Sequence, residues 1–404
     1  MGGNSSTSRG QVLAPAGPAG PPEPPYPGPA AEYNFINTQV SMTNNISFST
    51  THNMVTTNID SYYPILGQKY AEGFRLLTFY RIPGGAQRQG GLFSMSMAIP
   101  FQGVFCRYPQ MPSQQGWQLR VVKSVMVAQR MGHGLIQLNP QIVGDSSQIY
   151  QAIVDNTNTG GRLICVEMTG QQQGQGFSAA MQGISPIMGV DLFFEIPNSP
   201  MSERYLYQCV PCPVTIQANL SFGTSGVRVM CDWNGMLGSQ LSQGWKLVEI
   251  FFDMGQARHG AFSTSASLNS VWFFEKPSSR ANNNTPVYQG TVVEHFVSMT
   301  SGFGGVHATT NWEPIIQQLG LKGWELACFV ETPESRMTGF GKAEMKVLLF
   351  FQRPILPPVG GAHHPMPGPA QPHPGGPAPP AAGFLYDQGH PQPPSNEKPP
   401  PYQG

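Results

Sequence analysis

The chain has 404 residues, and its 22 Lys and Arg residues are balanced by 22 Asp and Glu residues, so the formal net charge is zero. Only 11% of the residues are charged, which gives the chain no broad attraction to nucleic acid or to an acidic membrane surface. No apolar run comes close to the length of about 18 residues that is needed to cross a bilayer. The N-terminus also lacks the charged segment followed by an apolar segment that is typical of a secretory signal peptide. We therefore expect a cytoplasmic chain with no nucleic-acid partner.

The first residues, Met-Gly-Gly-Asn-Ser-Ser, match a lipidation pattern. Removal of Met1 exposes Gly2, and Ser6 completes the Met-Gly-x-x-x-Ser pattern of N-myristoylation. The alternative is an accidental flexible start. A single myristoyl chain binds membranes only marginally, and Arg9 is the only basic residue before Lys69. The pattern thus predicts reversible attachment to the inner leaflet through acylated Gly2, at the cytoplasmic face of the plasma membrane or of endosomes.

Composition divides the chain into two tails and two halves. Residues 1–33 and 358–404 are rich in Pro and Gly and cannot bury enough apolar area to order themselves, so we expect disordered tails. The amphipathic region between them is divided into a first half at 34–200 and a second half at 201–357.

A short motif recurs four times in this region, and each copy has a glycine, an aromatic residue and then an alternating apolar pattern typical of a strand. The copies are "GFRLLTFY" at Gly73, "GWQLRVVK" at Gly116, "GWKLVEIF" at Gly244 and "GWELACFV" at Gly323. Eleven residues before three of these glycines stand Tyr62, Trp233 and Trp312. Apolar residues follow each of them at +3 and +4, which predicts one face of a helix.

Helix-end signals agree with this interpretation. Asp232 and Asn311 directly precede the tryptophans and can accept hydrogen bonds from the first free amides of a helix. The motif glycine would supply the left-handed residue at which each helix stops.

Each unit is closed by another strand, which ends in "FFEIP" (Phe193–Pro197), "FFEKP" (Phe273–Pro277) or "FFQRP" (Phe350–Pro354), and more loosely in "SMAIPF" in the first unit. These patterns predict four β-α-β-β units at about 34–102, 103–200, 201–278 and 279–358. The helix of the second unit is in doubt because Pro109 and Pro112 would interrupt it. Pairing neighbouring units gives an α+β fold of two antiparallel sheets with helices packed on one face.

These strand and helix segments resemble the raftlin family. The stretches that carry the resemblance are "FFEIPNSP", "YLYQCVPCPVTI", "WNGMLGSQLSQGWKLVEIFF", "VVEHF", "GWELACFVETP" and "LLFFQRPILP". The resemblance implies an acylated protein of membrane rafts that acts in raft organisation, receptor signalling or endocytic trafficking. It also implies a palmitoylated cysteine at position 3, where this chain has Gly3.

Several other residues invite a chemical interpretation. Cys209 and Cys212 have the spacing of half a zinc site or of a redox pair, but their place beside a strand pattern favours ordinary core or strand-edge thiols. His133 and His259 stand next to glycine in predicted turns and have no evident catalytic partner. Trp117, Trp245, Trp324, Trp233 and Trp312 are interpreted as core residues. We therefore predict no catalytic residue, metal or cofactor and no enzymatic activity.

The C-terminal "PPPYQG" contains a Pro-Pro-x-Tyr element formed by Pro399, Pro400 and Tyr402. Such a segment forms a polyproline helix that presents a tyrosine to an aromatic groove, as WW domains require. The predicted partners are WW-domain proteins such as HECT-type ubiquitin ligases. Two hypotheses follow: a membrane-attached, non-enzymatic adaptor, or a soluble adaptor or ligase substrate that acts through this motif without a lipid.

Overall fold

The computed structural model describes residues 26–46, 52–89, 96–111, 116–131, 141–175, 187–199, 203–221, 224–259, 265–302 and 305–356. In these ranges the chain forms four units of similar construction, each in the order strand, strand, helix, strand, strand. Unit 1 contains β1 (Glu32–Ile46), β2 (His52–Thr57), α1 (Tyr63–Gln68), β3 (Arg75–Arg81), β4 (Ala86–Gln89) and β5 (Ser96–Arg107), with 3-10 turns at Ile59–Tyr62 and Lys69–Glu72. Unit 2 contains β6 (Trp117–Met131), β7 (Gln141–Asp145), α2 (Ser147–Asn158), β8 (Arg162–Gln175) and β9 (Ile187–Pro197).

Units 3 and 4 follow the same plan. Unit 3 contains β10 (Tyr205–Ser221), β11 (Thr224–Met230), α3 (Trp233–Leu241), β12 (Lys246–His259) and β13 (Ser265–Pro277). A 3-10 turn at Ser278–Arg280 leads to unit 4, which contains β14 (Tyr288–Gly302), β15 (Gly305–Thr309), α4 (Glu313–Leu321), β16 (Glu325–Gly339) and β17 (Lys342–Pro354).

Within each unit the strands are antiparallel and lie in the order second, first, fourth, third. In unit 1 the third position is shared by β3 and β4, both of which pair with β5. The first and fourth strands have the same register in every unit. At the start of each first strand, the residues paired with the end of the fourth strand are Glu32 with Arg107, Trp117 with Pro197, Tyr205 with Pro277, and Tyr288 with Pro354.

The four units close into a ring. The second strand of each unit meets the third strand of the next: β2 pairs with β8 and β15 pairs with β4, while β7 lies against β12 and β11 against β16. The third strands β3, β8, β12 and β16 contact one another in turn around a central axis. The arrangement is that of a small four-bladed propeller.

Among the described residues the hydrophobic core forms four clusters, and each lies between two neighbouring units. This division explains the paired phenylalanines of the fourth strands. Phe193 packs between units 1 and 2 and Phe194 between units 2 and 3. Adjacent residues of a strand point to opposite faces, so each fourth strand is buried on both faces.

The predicted α+β fold of two sheets with helices on one face is therefore wrong, because the protein is mainly β and its units form a ring. The units have two strands before the helix, where one was predicted. Helices α1, α3 and α4 pack on the first strand of the following unit, and α2 packs on its own unit. Strands with two buried faces leave no common sheet surface for a helical layer.

The second copy of the glycine motif was also assigned to the wrong strand. Gly116 precedes β6, which is the first strand of unit 2, and the helix of this unit is α2. The residue equivalent to the other motif glycines is Gly160, with φ of 93°. The sequence that follows it, Gly161-Arg162-Leu163, has no aromatic residue, which explains why the pattern did not reveal it.

The predicted helix ends are confirmed in part. Gly73, Gly244 and Gly323 have φ of 80°, 80° and 77°, as left-handed stops require. The Asp232 carboxylate accepts a hydrogen bond from the Gly235 amide at 2.9 Å and caps α3.

The predicted cap at Asn311 is not formed. The residue that precedes α4 is Trp312, and no side chain caps this helix.

Candidate functional site: a polar ring at the central axis

A cavity of about 770 Å³ opens at the end of the axis where the third strands begin. The residue that opens each third strand lines it: Arg75, Arg162, Lys246 and Glu325. The residues that pair with them across the fourth strands are Cys106, Glu195, Glu275 and Gln352. The shared register of the units thus brings eight equivalent positions, most of them charged or polar, around one axis. We call these eight residues the axial ring.

The charges of the axial ring form pairs that pass from one unit to the next. The Arg75 Nε atom lies 2.8 Å from Glu195 Oε1, and Arg162 Nε lies 2.9 Å from Glu275 Oε2. In both pairs a third-strand cation of one unit meets a fourth-strand carboxylate of the next. These ion pairs therefore connect units 1, 2 and 3.

The pattern changes between units 3 and 4. Gln352 stands where the carboxylate would be, and its side-chain amide forms two hydrogen bonds with the backbone of Leu247, at 3.0 and 2.7 Å. Lys246 instead contacts Glu325, with Nζ and Oε1 separated by 2.6 Å. The Tyr108 hydroxyl of unit 1 donates a hydrogen bond to the other oxygen of Glu325 at 2.7 Å. This hydrogen bond connects unit 4 back to unit 1.

The axial-ring carboxylates with a shifted pKa are held in the ionised form. Burial alone would raise the pKa of Glu325, but Lys246 and Tyr108 outweigh it and lower the pKa to about 2. For Glu275, burial again raises the pKa, and Arg162 more than offsets this, so the net pKa is lowered. The Arg162 and Lys246 pKa values, which burial would lower, are raised by Glu275 and Glu325 respectively. Paired in this way, the charges hold neighbouring units at fixed separations.

A second set of polar residues lies deeper along the axis. Shortly after its axial-ring residue, each third strand has a β-bulge that shifts its pairing with the fourth strand. The bulges lie between Leu76 and Thr78, Leu163 and Cys165, Leu247 and Glu249, and Leu326 and Cys328. The four residues that follow these bulges are buried. Burial raises the pKa of Glu249 well above its usual range, and its Oε1 accepts a hydrogen bond from the Ile250 amide at 2.8 Å. The repeated bulge turns these side chains toward the axis.

Glu167 behaves in the same way farther along the third strands. Burial raises its pKa to about 8, although the guanidinium of Arg81 acts in the opposite direction. A carboxyl group with this pKa is largely protonated near neutral pH.

The chain enters and leaves the described fold at the mouth of the cavity. The Tyr26 hydroxyl donates to the Pro354 carbonyl oxygen at 3.3 Å, and its ring lies 4.8 Å from the Arg353 guanidinium. Arg353 also stacks on Trp324 at 4.4 Å. The first and last described residues, Tyr26 and Leu356, therefore lie at the same end of the axis.

Several residues singled out from the sequence fall outside the ranges that the structure describes. Gly2, Pro399, Pro400, Tyr402 and His133 are outside the described residues.

The five tryptophans and the two cysteines Cys209 and Cys212 lie within the described residues. Trp312 and Trp324 are buried between units 4 and 1, and Trp233 and Trp245 pack against the cluster between units 3 and 4. Trp117 lies under the Arg75 guanidinium at 4.9 Å. Cys209 is exposed and Cys212 is buried, as expected for residues three apart on a strand, which face opposite sides.

Sequence reasoning missed the axial ring. The glutamates of "FFEIP" and "FFEKP" were visible as part of a strand ending, and Arg75, Lys246 and Glu325 each follow the aromatic residue of a glycine motif. Repetition of a charged residue at the same place in several apolar repeats was the signal that could have found it.

The protein is thus a ring of four β units held together by apolar clusters and by ion pairs at its axis. The family model for Raftlin matches residues 142–362, more than half of the chain. The chain belongs to the raftlin family, which confirms the resemblance seen in the sequence.

Individual relatives match a shorter segment. Raftlin of Mus musculus is 29% identical over 171 residues, which cover 42% of this chain and 29% of the relative. Raftlin of Homo sapiens is 28% identical over 173 residues, 43% of this chain and 28% of the relative. Raftlin of Gallus gallus is 26% identical over 174 residues, 43% of this chain and 27% of the relative. The match thus spans less than a third of each relative's length, and no solved structure matches the chain.

In the described part of the chain, none of the helices has the length and apolar character that crossing a bilayer requires.

Proposed function

We propose that this protein is a raft-associated, non-enzymatic adaptor that attaches reversibly to the inner leaflet through a myristoyl group on Gly2. The observation that carries the proposal is membership of the raftlin family, whose relatives bear the name Raftlin. The Met-Gly-x-x-x-Ser start supplies a chemical route to the membrane. Paired, ionised charges at the axis suit a structural role, because a carboxylate held by a cation is a poor proton acceptor near neutral pH.

The proposal extends to a recruitment role at the other end of the chain. Pro399, Pro400 and Tyr402 form the Pro-Pro-x-Tyr ligand of a WW domain, and the partner class is a HECT-type ubiquitin ligase. The lipid and the WW ligand would give one chain a membrane contact and a ligase contact. The adaptor would thereby bring a ligase close to membrane cargo.

The lipid anchor is tested by metabolic labelling with an alkyne analogue of myristate. The unaltered chain and Gly3→Ala, which keeps the acylation pattern, should both be labelled and partly sediment with membranes. Gly2→Ala should lose both the label and the membrane fraction, because one acyl chain provides an association constant of about 10⁴ M⁻¹. An unlabelled wild-type chain would leave the soluble alternative, an adaptor or ligase substrate acting through Tyr402 alone.

The WW ligand is tested by titrating purified WW domains of a HECT ligase with the full chain. Tyr402→Ala should weaken binding at least about tenfold, because a tyrosine that fills the groove is a typical hot spot. Tyr386→Ala, in the same tail but outside the motif, should bind like the unaltered chain. Equal binding by the Tyr402 variant would show that the motif is not the ligand.

A further inference from the structure

The second cysteine of the Cys-Val-Pro-Cys motif has a partner that the sequence does not suggest. Cys212 lies in β10, and Cys231 directly follows β11 and precedes Asp232, the cap of α3. The β10–β11 hairpin pairs Thr215 with Met230 at its open end. Just beyond this pair the two strands hold the cysteines side by side.

The two sulfur atoms are in contact. Their Sγ atoms are 3.7 Å apart, and both residues are free thiols. A disulfide needs about 2.05 Å between sulfurs, so each side chain has to move by about 1 Å, which rotation about its Cα–Cβ bond supplies. The two sulfur atoms are therefore within reach of a disulfide bond through rotation of their side chains.

The pair is chemically unequal. The hydrogen bond between the thiols lowers the pKa of Cys212, and the Ser270 hydroxyl acts in the same direction while burial opposes it. The same bond raises the pKa of Cys231, with burial adding to the increase. The thiolate is the nucleophilic form of cysteine, and a thiolate at Cys212 would be in direct contact with the Cys231 sulfur. By contrast, burial raises the pKa of Cys106.

We propose that Cys212 and Cys231 are a modification site at which a peroxide forms a reversible disulfide. The Cys212 thiolate attacks one oxygen of hydrogen peroxide, the O–O bond breaks, and a sulfenic acid and hydroxide are formed. The Cys231 sulfur then attacks the sulfenic sulfur, the S–S bond forms and the S–O bond breaks. The released hydroxide takes up the Cys231 thiol proton as water. In total, two thiols lose two electrons and one peroxide becomes two water molecules.

The site lies where oxidation would strengthen the ring. The disulfide would close a loop that contains β11, the strand of unit 3 that faces β16 of unit 4. At this boundary the Val229 amide donates to Glu334 Oε1 at 2.7 Å, and Cys212 belongs to the apolar cluster between the same units. Fixing β11 to β10 restricts the unfolded chain and holds the boundary between units 3 and 4 closed.

The test oxidises the reduced full chain with hydrogen peroxide under native conditions, blocks free thiols with a maleimide and maps the products by mass spectrometry. We expect a linked pair of peptides containing Cys212 and Cys231, lighter by two hydrogen atoms and separated again by dithiothreitol. The midpoint of thermal unfolding should rise on oxidation by about 5 °C.

Two variants show whether Cys212 pairs with Cys231 or with Cys209. Cys209→Ser should form the same linked peptides at the same rate as the unaltered chain. Cys231→Ser should form none, should show no rise in midpoint, and should accumulate a sulfenic acid on Cys212 that dimedone traps. A link that contains Cys209, or loss of the Cys212 thiol no faster than that of the buried Cys106, would overturn the proposal.

Discussion

The buried charges at the axis are arranged so that each cation meets a carboxylate of the adjoining unit. Arg162 is 13% exposed and Glu275 only 3%, so water contributes little to the solvation of either group. Removing one partner of such a pair leaves the other as an uncompensated buried charge. The same substitution in a solvated pair has little effect.

We predict that Glu275→Gln lowers the free energy of unfolding by about 3–5 kcal/mol at pH 7. Because the pKa of Glu275 is lowered in the folded chain, the stability that it contributes is present above the carboxyl pKa of the unfolded chain and is lost as the pH falls. The difference between variant and wild type should therefore shrink in acid. Urea titrations at several pH values measure both effects.

The control is Glu344→Gln, which removes the partner of Arg336 in a pair where the arginine is 62% exposed. Its cost should stay below about 1 kcal/mol. Equal costs for the two variants would mean that the axial pair is no more important than a surface pair.

The glycine that ends each helix sets the direction in which the following third strand begins. Gly73 ends the helical segment of unit 1 with φ of 80°, and the next residues start β3. A side chain at its Cβ position would meet nothing within 4 Å. Any cost of adding one therefore comes from the backbone conformation alone.

We predict that Gly73→Ala lowers the free energy of unfolding by about 1–2 kcal/mol, the cost of a left-handed conformation for a residue with a Cβ. Gly67, within α1, is also open to a Cβ but has no positive φ. Gly67→Ala should raise stability by about 0.5–1 kcal/mol. Urea unfolding of both variants measures the contrast, and a loss of stability in both would point to packing instead of φ.

Closure of the ring controls the stability of the whole molecule. The clusters between units 1 and 2 and between units 3 and 4 each lie within one predicted half of the chain. The other two clusters join the halves, and so does the pair of Arg162 with Glu275. Either half by itself would expose two apolar surfaces that the ring buries.

We predict that fragments 26–199 and 203–356 are poorly folded when separate and form a one-to-one complex when mixed, because association restores both shared clusters. Circular dichroism of each fragment and of the mixture, with sedimentation for the mass of the complex, measures this. Two fragments that melt cooperatively alone and do not associate would instead identify the halves as independent domains.

Features that depend on nearby residues can be derived from the order of the amino acids. The glycine stops, the cap at Asp232 and the strands after Gly244 and Gly323 follow from residues within a few positions of one another. Three of the four equivalent glycines, Gly73, Gly244 and Gly323, and the raftlin family were also readable, because both are properties of linear order.

The assembly of the repeats follows from contacts between residues that are far apart in the chain. The partners Arg162 and Glu275 are 113 positions apart, and Cys212 and Cys231 are 19 apart with a whole hairpin between them. Neither pairing has a local signal, because the cysteine contact depends on the register of the β10–β11 hairpin and the Arg162–Glu275 pair on the closure of four units around an axis. Two adjacent phenylalanines such as Phe193 and Phe194 read as one strand ending, and the ring is what buries them on opposite faces.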